Sequence, residues 1–158
     1  MKIKAFNSHK SFPELEEAGI WAPVAEDVEF KIRRMRSESV SKARDRIYGP
    51  TERVMGSKKI PDKLETELTC RLMSEALIVD WRGKGMVDDH GVAIPFTKET
   101  CFEVLSDNDY GRDLRAMVIG VAMDGDQFVP TSPDVVVDEG NSSTISSGLP
   151  VTEATSTT

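Results

Sequence analysis

The chain has 158 residues, 39 % hydrophobic and 30 % charged, with a formal net charge of -7. That length and composition allow one domain with a small core plus a loose appendage, and the charge fits a soluble cytoplasmic protein. Two cysteines exclude a disulfide scaffold, and the N-terminal MKIKAFNSHK has no apolar run behind it and is not a signal peptide. No window approaches the roughly 18 apolar residues of a membrane span.

Charge is segregated along the chain. Val28 to Lys63 holds 11 Lys or Arg against 5 Asp or Glu, a balance of +6, and no Lys or Arg follows Arg115. Lys2-Ile3-Lys4-Ala5-Phe6 alternates and predicts a short strand or arm. Glu14 to Ala18 suits one helical turn ending at Gly19. Ile20 to Met35 reads as a β-hairpin. Trp21 lies in its first strand, Pro23 marks that strand as an edge, and Glu26-Asp27 is the turn. Val28, Phe30 and Ile32 alternate with Glu29, Lys31 and Arg33, the pattern of a half-buried strand.

Ser37 or Ser39 can cap a short helix over Val40 to Tyr48, with Val40, Ala43 and Ile47 as a thin apolar stripe. Gly49-Pro50 is expected to end it. Thr51 to Pro61 then reads as a basic connector. Leu64, Leu68, Leu72, Met73, Ala76, Leu77 and Val79 recur at helical spacing and predict a core helix of about 17 residues. A glycine-rich, acidic excursion follows, with Trp81 and Arg82 at its mouth. Val92, Ile94 and Phe96 alternate as in a short strand. Trp81 and Phe96 are expected to pack back on the core and pin this loop.

Thr97 is placed to cap a helix through Leu105, with Glu99 suiting its dipole. The strict capping box is unmet, because position 100 is Thr. A last helix is expected from about Asp109 to Met123, with Leu114, Met117, Val118, Val121 and Ala122 inward. Gly120 weakens it by up to about 1 kcal/mol against Ala. From Val129 the composition turns to Pro, Gly, Ser and Thr without aromatics. Residues 129–158 are expected to be a disordered acidic tail, with Val135-Val136-Val137 its one apolar patch. The fold class expected is α+β, mainly helical: an N-terminal β-hairpin, a small helical domain within residues 1–128, and the tail.

Catalytic and ligand signatures are weak. Asp88-Asp89-His90 offers ligand types, but three consecutive residues cannot readily face one ion, so a solvated turn is the better reading. Gly83-Lys84-Gly85 lacks the spacing and the Ser/Thr of a phosphate loop. Cys70 and Cys101 sit at apolar helical positions and read as buried, reduced thiols. No catalytic residue, metal site or cofactor is assigned, and no enzyme is expected.

One resemblance covers roughly residues 14–123. Asp80-Trp81-Arg82-Gly83, an acidic turn with Gly91, then Ile94-Pro95-Phe96-Thr97-Lys98-Glu99 and Leu105-Ser106-Asp107 resemble the tail assembly chaperones of long-tailed, siphovirus-like bacteriophages. The stretch from Trp21 to Met35, an aromatic strand, an acidic turn and Phe-Lys-Ile-Arg-Arg, is similar to them too. The resemblance implies a non-enzymatic protein of the host cytoplasm, absent from the mature virion. It would bind the phage tape-measure protein and help recruit tail-tube subunits, and a longer frameshift product of the same gene is a further possible partner. Thin stripes on Val40-Ala43-Ile47 and Leu114-Met117-Val121 could meet a partner helix. The aromatic and arginine side chains of the matching stretches, Trp21, Arg33, Arg34, Trp81, Arg82 and Phe96, are the candidate partner contacts, since Trp and Arg are enriched at interface hot spots. The alternative is a small nucleic-acid-binding or regulatory protein using the basic segment 31–63.

Overall fold

A computed structural model describes residues 3–5 and 10–130. The expected strand over residues 2–6 lies largely outside them, though Lys4 and Ala5 are 3-10 helical rather than extended. The expected disorder of the tail lies outside them beyond Pro130, as does its valine patch.

The fold is α+β and mainly helical. A short helix α1 (Pro13–Ala18) leads into strands β1 (Ile20–Ala25) and β2 (Val28–Ile32). Helices α2 (Glu38–Met55) and α3 (Asp62–Leu72) follow, then a π-helical turn (Met73–Leu77), strand β3 (Ile78–Arg82), and helices α4 (Lys98–Ser106) and α5 (Gly111–Met123). The strands form one antiparallel sheet in the order β1-β2-β3.

The hairpin forms as its alternation dictates. Ala25 pairs with Val28 across Glu26-Asp27, and Asp27 takes a left-handed φ of 56°, which a short polar side chain tolerates. Pro23 sits on β1, an outer strand, where a missing N–H does least harm. Ala22, Val24, Val28, Phe30 and Ile32 are all buried on the inner face.

The third strand is a correction. The core helix does not run on through Ile78 and Val79. It widens into the π-helical turn, ends at Leu77, and Ile78 begins β3. Two adjacent β-branched residues favour the extended state. The orphan carbonyls at this helix end are met by Arg33, whose main-chain N–H donates to the Leu77 carbonyl at 2.8 Å.

Helix α2 is longer than its punctuation suggests. It passes through Gly49-Pro50 and stops at Gly56, whose φ is 60°. A proline crowds the Cβ of the residue before it when that residue is helical, and glycine has no Cβ. The buried Tyr48 just upstream anchors the passage. Its hydroxyl lies 3.0 Å from the Thr69 hydroxyl and 3.4 Å from a Glu65 carboxylate oxygen, tying α2 to α3. The expected basic connector therefore begins only after Met55.

Two local readings need adjusting. Val92, Ile94 and Phe96 form no strand; residues 83–97 are a loop with a single bridge between Val87 and Ala93. Pro95 between the two inward side chains cannot donate to a ladder. At the start of α4 a reciprocal capping box does form. The Thr97 hydroxyl accepts from the Thr100 N–H at 3.0 Å, and the Thr100 hydroxyl accepts from the Thr97 N–H at 3.0 Å, doing what Glu or Gln would do.

The core lies between the inner sheet face and the helices. α2 contributes Val40, Ala43 and Ile47, α3 and its π-helical turn Leu68, Leu72, Met73 and Leu77, and the last two helices Cys101, Leu105, Val118 and Ala122. Both cysteines are free and buried, and burial pushes the Cys101 thiol up to about 12. A thiol held that high stays protonated at neutral pH.

Candidate partner-binding surface

The six side chains expected to meet a partner separate into three pairs. Trp81 and Phe96 pack inward. The Trp81 ring is 5.1 Å from Phe96, edge to face, and 5.7 Å from Phe30. Its indole N–H donates to the Ile94 carbonyl at 2.8 Å. Trp81 is buried and Phe96 half-buried, so this pair pins the 83–97 loop to the sheet.

Arg33 and Arg34 hold the fold together. Arg33 Nε donates to the Glu17 carbonyl at 2.6 Å and its Nη1 to the Ala76 carbonyl at 2.8 Å, closing the last turns before β1 and β3. Arg34 Nη1 donates to the Ala122 carbonyl at 3.1 Å, in the last turn of α5. Its guanidinium also lies 5.8 Å from the centre of the buried Phe128 ring. Arginine at a helix C-terminus meets both the free carbonyls and the dipole. These side chains have internal tasks that sequence alone does not reveal.

Trp21 and Arg82 face outward together. Trp21 is on the far side of β1 from the core, and the Arg82 guanidinium stacks 4.0 Å from its ring centre. Glu29 pairs with Arg82 at 2.8 Å.

Part of the basic segment is committed internally. Arg36 is 3.3 Å from Glu16, Lys42 is 2.6 Å from Glu38 and Arg46 is 2.8 Å from Glu75. Burial works against the charge on Glu16, but Arg36 and the Phe12 N–H hold its carboxyl below the usual range. Glu75 is likewise held low, by Arg46 and then Arg71, against its burial.

The acidic excursion has structural reasons for its composition. A side chain at Gly83, whose φ is 122°, would put its Cβ 1.9 Å from the Asp27 carbonyl oxygen. One at Gly85 would come within 2.6 Å of a Val28 methyl. These glycines let the loop wrap the hairpin tip, and no phosphate cradle is needed to explain them. The Asp88 carboxylate accepts from the His90 and Val92 N–H groups, both at 2.9 Å, as in an Asx turn.

The surface left open is elsewhere. The hairpin tip, the 85–94 loop and the facing sides of α4 and α5 enclose a groove of about 370 Å³. Val24, Val28 and Phe30 form its floor, Met86 and Ile94 one wall, and Leu114 and Met117 the other. Met117, expected inward, is 45 % exposed, and Tyr110 at the rim is 51 % exposed. By contrast Val40, Ala43 and Ile47 are at most 6 % exposed, so the α2 stripe is covered by the protein itself and offers nothing to a partner. The α5 stripe was visible in the sequence as a periodicity. Met86, Val87 and Tyr110 were not, because they lie in or beside loops without a repeating pattern.

The sequence profile of a family described as YdaY prophage protein matches residues 35–138, about two thirds of the chain. The match takes in α2 to α5 with the 83–97 loop, and so both walls of the groove, but not the hairpin at its floor. Searches of curated proteins and of solved structures gave no match.

Proposed function

The chain belongs to the YdaY prophage protein family, and we propose that it is a phage tail assembly chaperone that holds a segment of the tape-measure protein in the α4–α5 groove. A phage origin agrees with the resemblance of the Asp80-to-Asp107 stretch to such chaperones. The observation that carries the reading is the groove. It is lined almost wholly by apolar side chains, sits beside a pinned loop, and has the methionines that let a surface adapt to different helices. The role needs no catalytic group, and none is assigned. The protein would act in the host cytoplasm, recruit tail-tube subunits to the bound tape-measure protein and be left out of the virion; a longer frameshift product of the same gene would share the domain.

Co-expression with the tape-measure protein tests this. The chain should keep the tape-measure protein soluble and co-purify with it. Met117→Arg, which alters an exposed wall of the groove, should weaken both effects without changing the melting temperature. A tape-measure protein as insoluble with the chain as without it refutes the reading. In the nucleic-acid alternative the segment 31–63 would act through Arg44, Arg53, Lys58 and Lys63, which are exposed and without an ion pair among the described residues, and a flat gel-shift titration at low salt would dispose of it.

A further inference from the structure

We propose that the groove selects helices that carry lysine or arginine beside their apolar face, and so binds the basic amphipathic stretches of its partner. The partner's identity rests on the chaperone reading above, whereas its charge is argued from the groove alone. The lining includes the carboxylate of Asp113 and no lysine or arginine. Tyr110 stands on the same rim, half out of the surface. Partial burial pushes its phenol up, and the carboxylates of Asp107, Asp109 and Asp89 add to the rise, which places three more negative charges around that rim. They come from two elements, the 83–97 loop and the α4–α5 connection. At the other end the groove is bounded by the Glu26-Asp27 turn: the Glu26 carbonyl oxygen lies 2.9 Å from where a Gly85 side chain would begin.

Most of these acids are not engaged elsewhere. Asp107 orders the turn between α4 and α5, accepting from the Asp109 N–H at 2.7 Å and the Tyr110 N–H at 3.3 Å. No ion pair is seen for Asp89, Asp109 or Asp113 among the described residues, and all three are exposed. An apolar trough whose lining holds a carboxylate and no cation, and whose nearby carboxylates outnumber Lys84 and Arg112 beside it, binds a basic helix faster and more selectively than a neutral one. Charges this close to a bound helix lie within the Debye length of roughly 10 Å at 0.1 M salt. The selection should therefore fade as salt is raised.

The test uses the full chain and two synthetic amphipathic peptides of about 18 residues, or five helical turns. They share one leucine face and differ only in having lysines or glutamates beside it. Fluorescence anisotropy at low salt should show the lysine peptide binding at least about tenfold tighter. The gap should close in the Asp89→Asn/Asp109→Asn/Asp113→Asn variant and at high salt, and Met117→Arg should remove binding. Equal affinity for the two peptides, preference for the glutamate peptide, or undiminished binding to Met117→Arg overturns the proposal. Binding of neither peptide overturns it too. If the tape-measure protein still co-purifies in that case, the chaperone reading survives the loss of this one; if it does not, both fall.

Discussion

Helices α2 and α5 begin from similar sequences and end in different situations. Each has a thin apolar stripe among polar residues. On α2 the stripe of Val40, Ala43 and Ile47 is sealed against α3 and the π-helical turn that follows it. On α5, Val118 and Ala122 at the C-terminal half are fully buried, while Leu114 is half-buried and Met117 stands exposed beside the hairpin tip. Periodicity says that a helix has an apolar side. What covers that side is decided by elements distant in sequence, here a hairpin some 90 residues earlier that reaches only part of α5.

The widest separation between the two helices should appear in stability. Ile47→Ala removes buried methyl groups from a closed site and should cost about 2–5 kcal/mol. Met117→Ala, at an exposed position, should cost under about 0.5 kcal/mol. Paired urea titrations read both, and equal losses would mean that the groove is closed in solution. Next comes the loop that walls the groove. Trp81→Phe keeps an aromatic ring but leaves the Ile94 carbonyl without its donor, at a cost of about 1–3 kcal/mol. Faster amide exchange across residues 83–97 should accompany it.

Acid should act on α2's side of the molecule first. The carboxyls of Glu16, Glu17 and Glu75 are held below the ordinary value of 4.5, those of Glu16 and Glu75 despite burial and that of Glu17 chiefly by hydrogen bonds from Ser39. A carboxyl whose folded pKa is depressed stabilises the fold above its unfolded pKa. That contribution should be lost as pH falls below about 4.5 and through the lower folded values. Melting temperatures measured between neutral and acid pH should drop there, and Glu17→Gln should flatten the drop. The smallest effect is on α5, where Gly120 is exposed with nothing near its missing side chain. Gly120→Ala should raise stability by up to about 1 kcal/mol and leave partner capture unchanged.

Much of the local structure was legible. The hairpin and its turn, Pro23 on an outer strand, the Thr97 cap and the return of Trp81 and Phe96 to the core all follow from alternation, turn chemistry and aromatic size. β3 was hidden because five residues at the end of a strongly periodic helix carry little signal, and their pairing with β2 is tertiary. Pro50 misled for a related reason: proline is a helix breaker by local rules, yet Gly49 and the anchored Tyr48 remove much of the penalty. For the candidate surface the residue types were informative and their placement was not. Arg33, Arg34, Trp81 and Phe96 face inward or bind main chain, and the open groove joins spaced positions such as Val28, Phe30, Leu114 and Met117 to Met86, Val87 and Tyr110, which no spacing rule picks out.

The pairing of β3 with β2 also sets a schedule for the growing chain. A two-stranded hairpin alone is marginal in water. Its missing neighbour, Arg82 at the far end, lies fifty residues beyond Ile32. At about 5–20 residues per second, synthesis needs roughly 2–10 s to supply it. Through that interval Phe30 and Ile32 have no sheet partner on one side and no complete helical layer above them. The α2–α3 pair, joined by a short connection and the Tyr48–Thr69 contact, can assemble first and bring the β3 segment back to the waiting hairpin. The nascent chain is thus itself briefly in need of the protection that its folded groove would give to another.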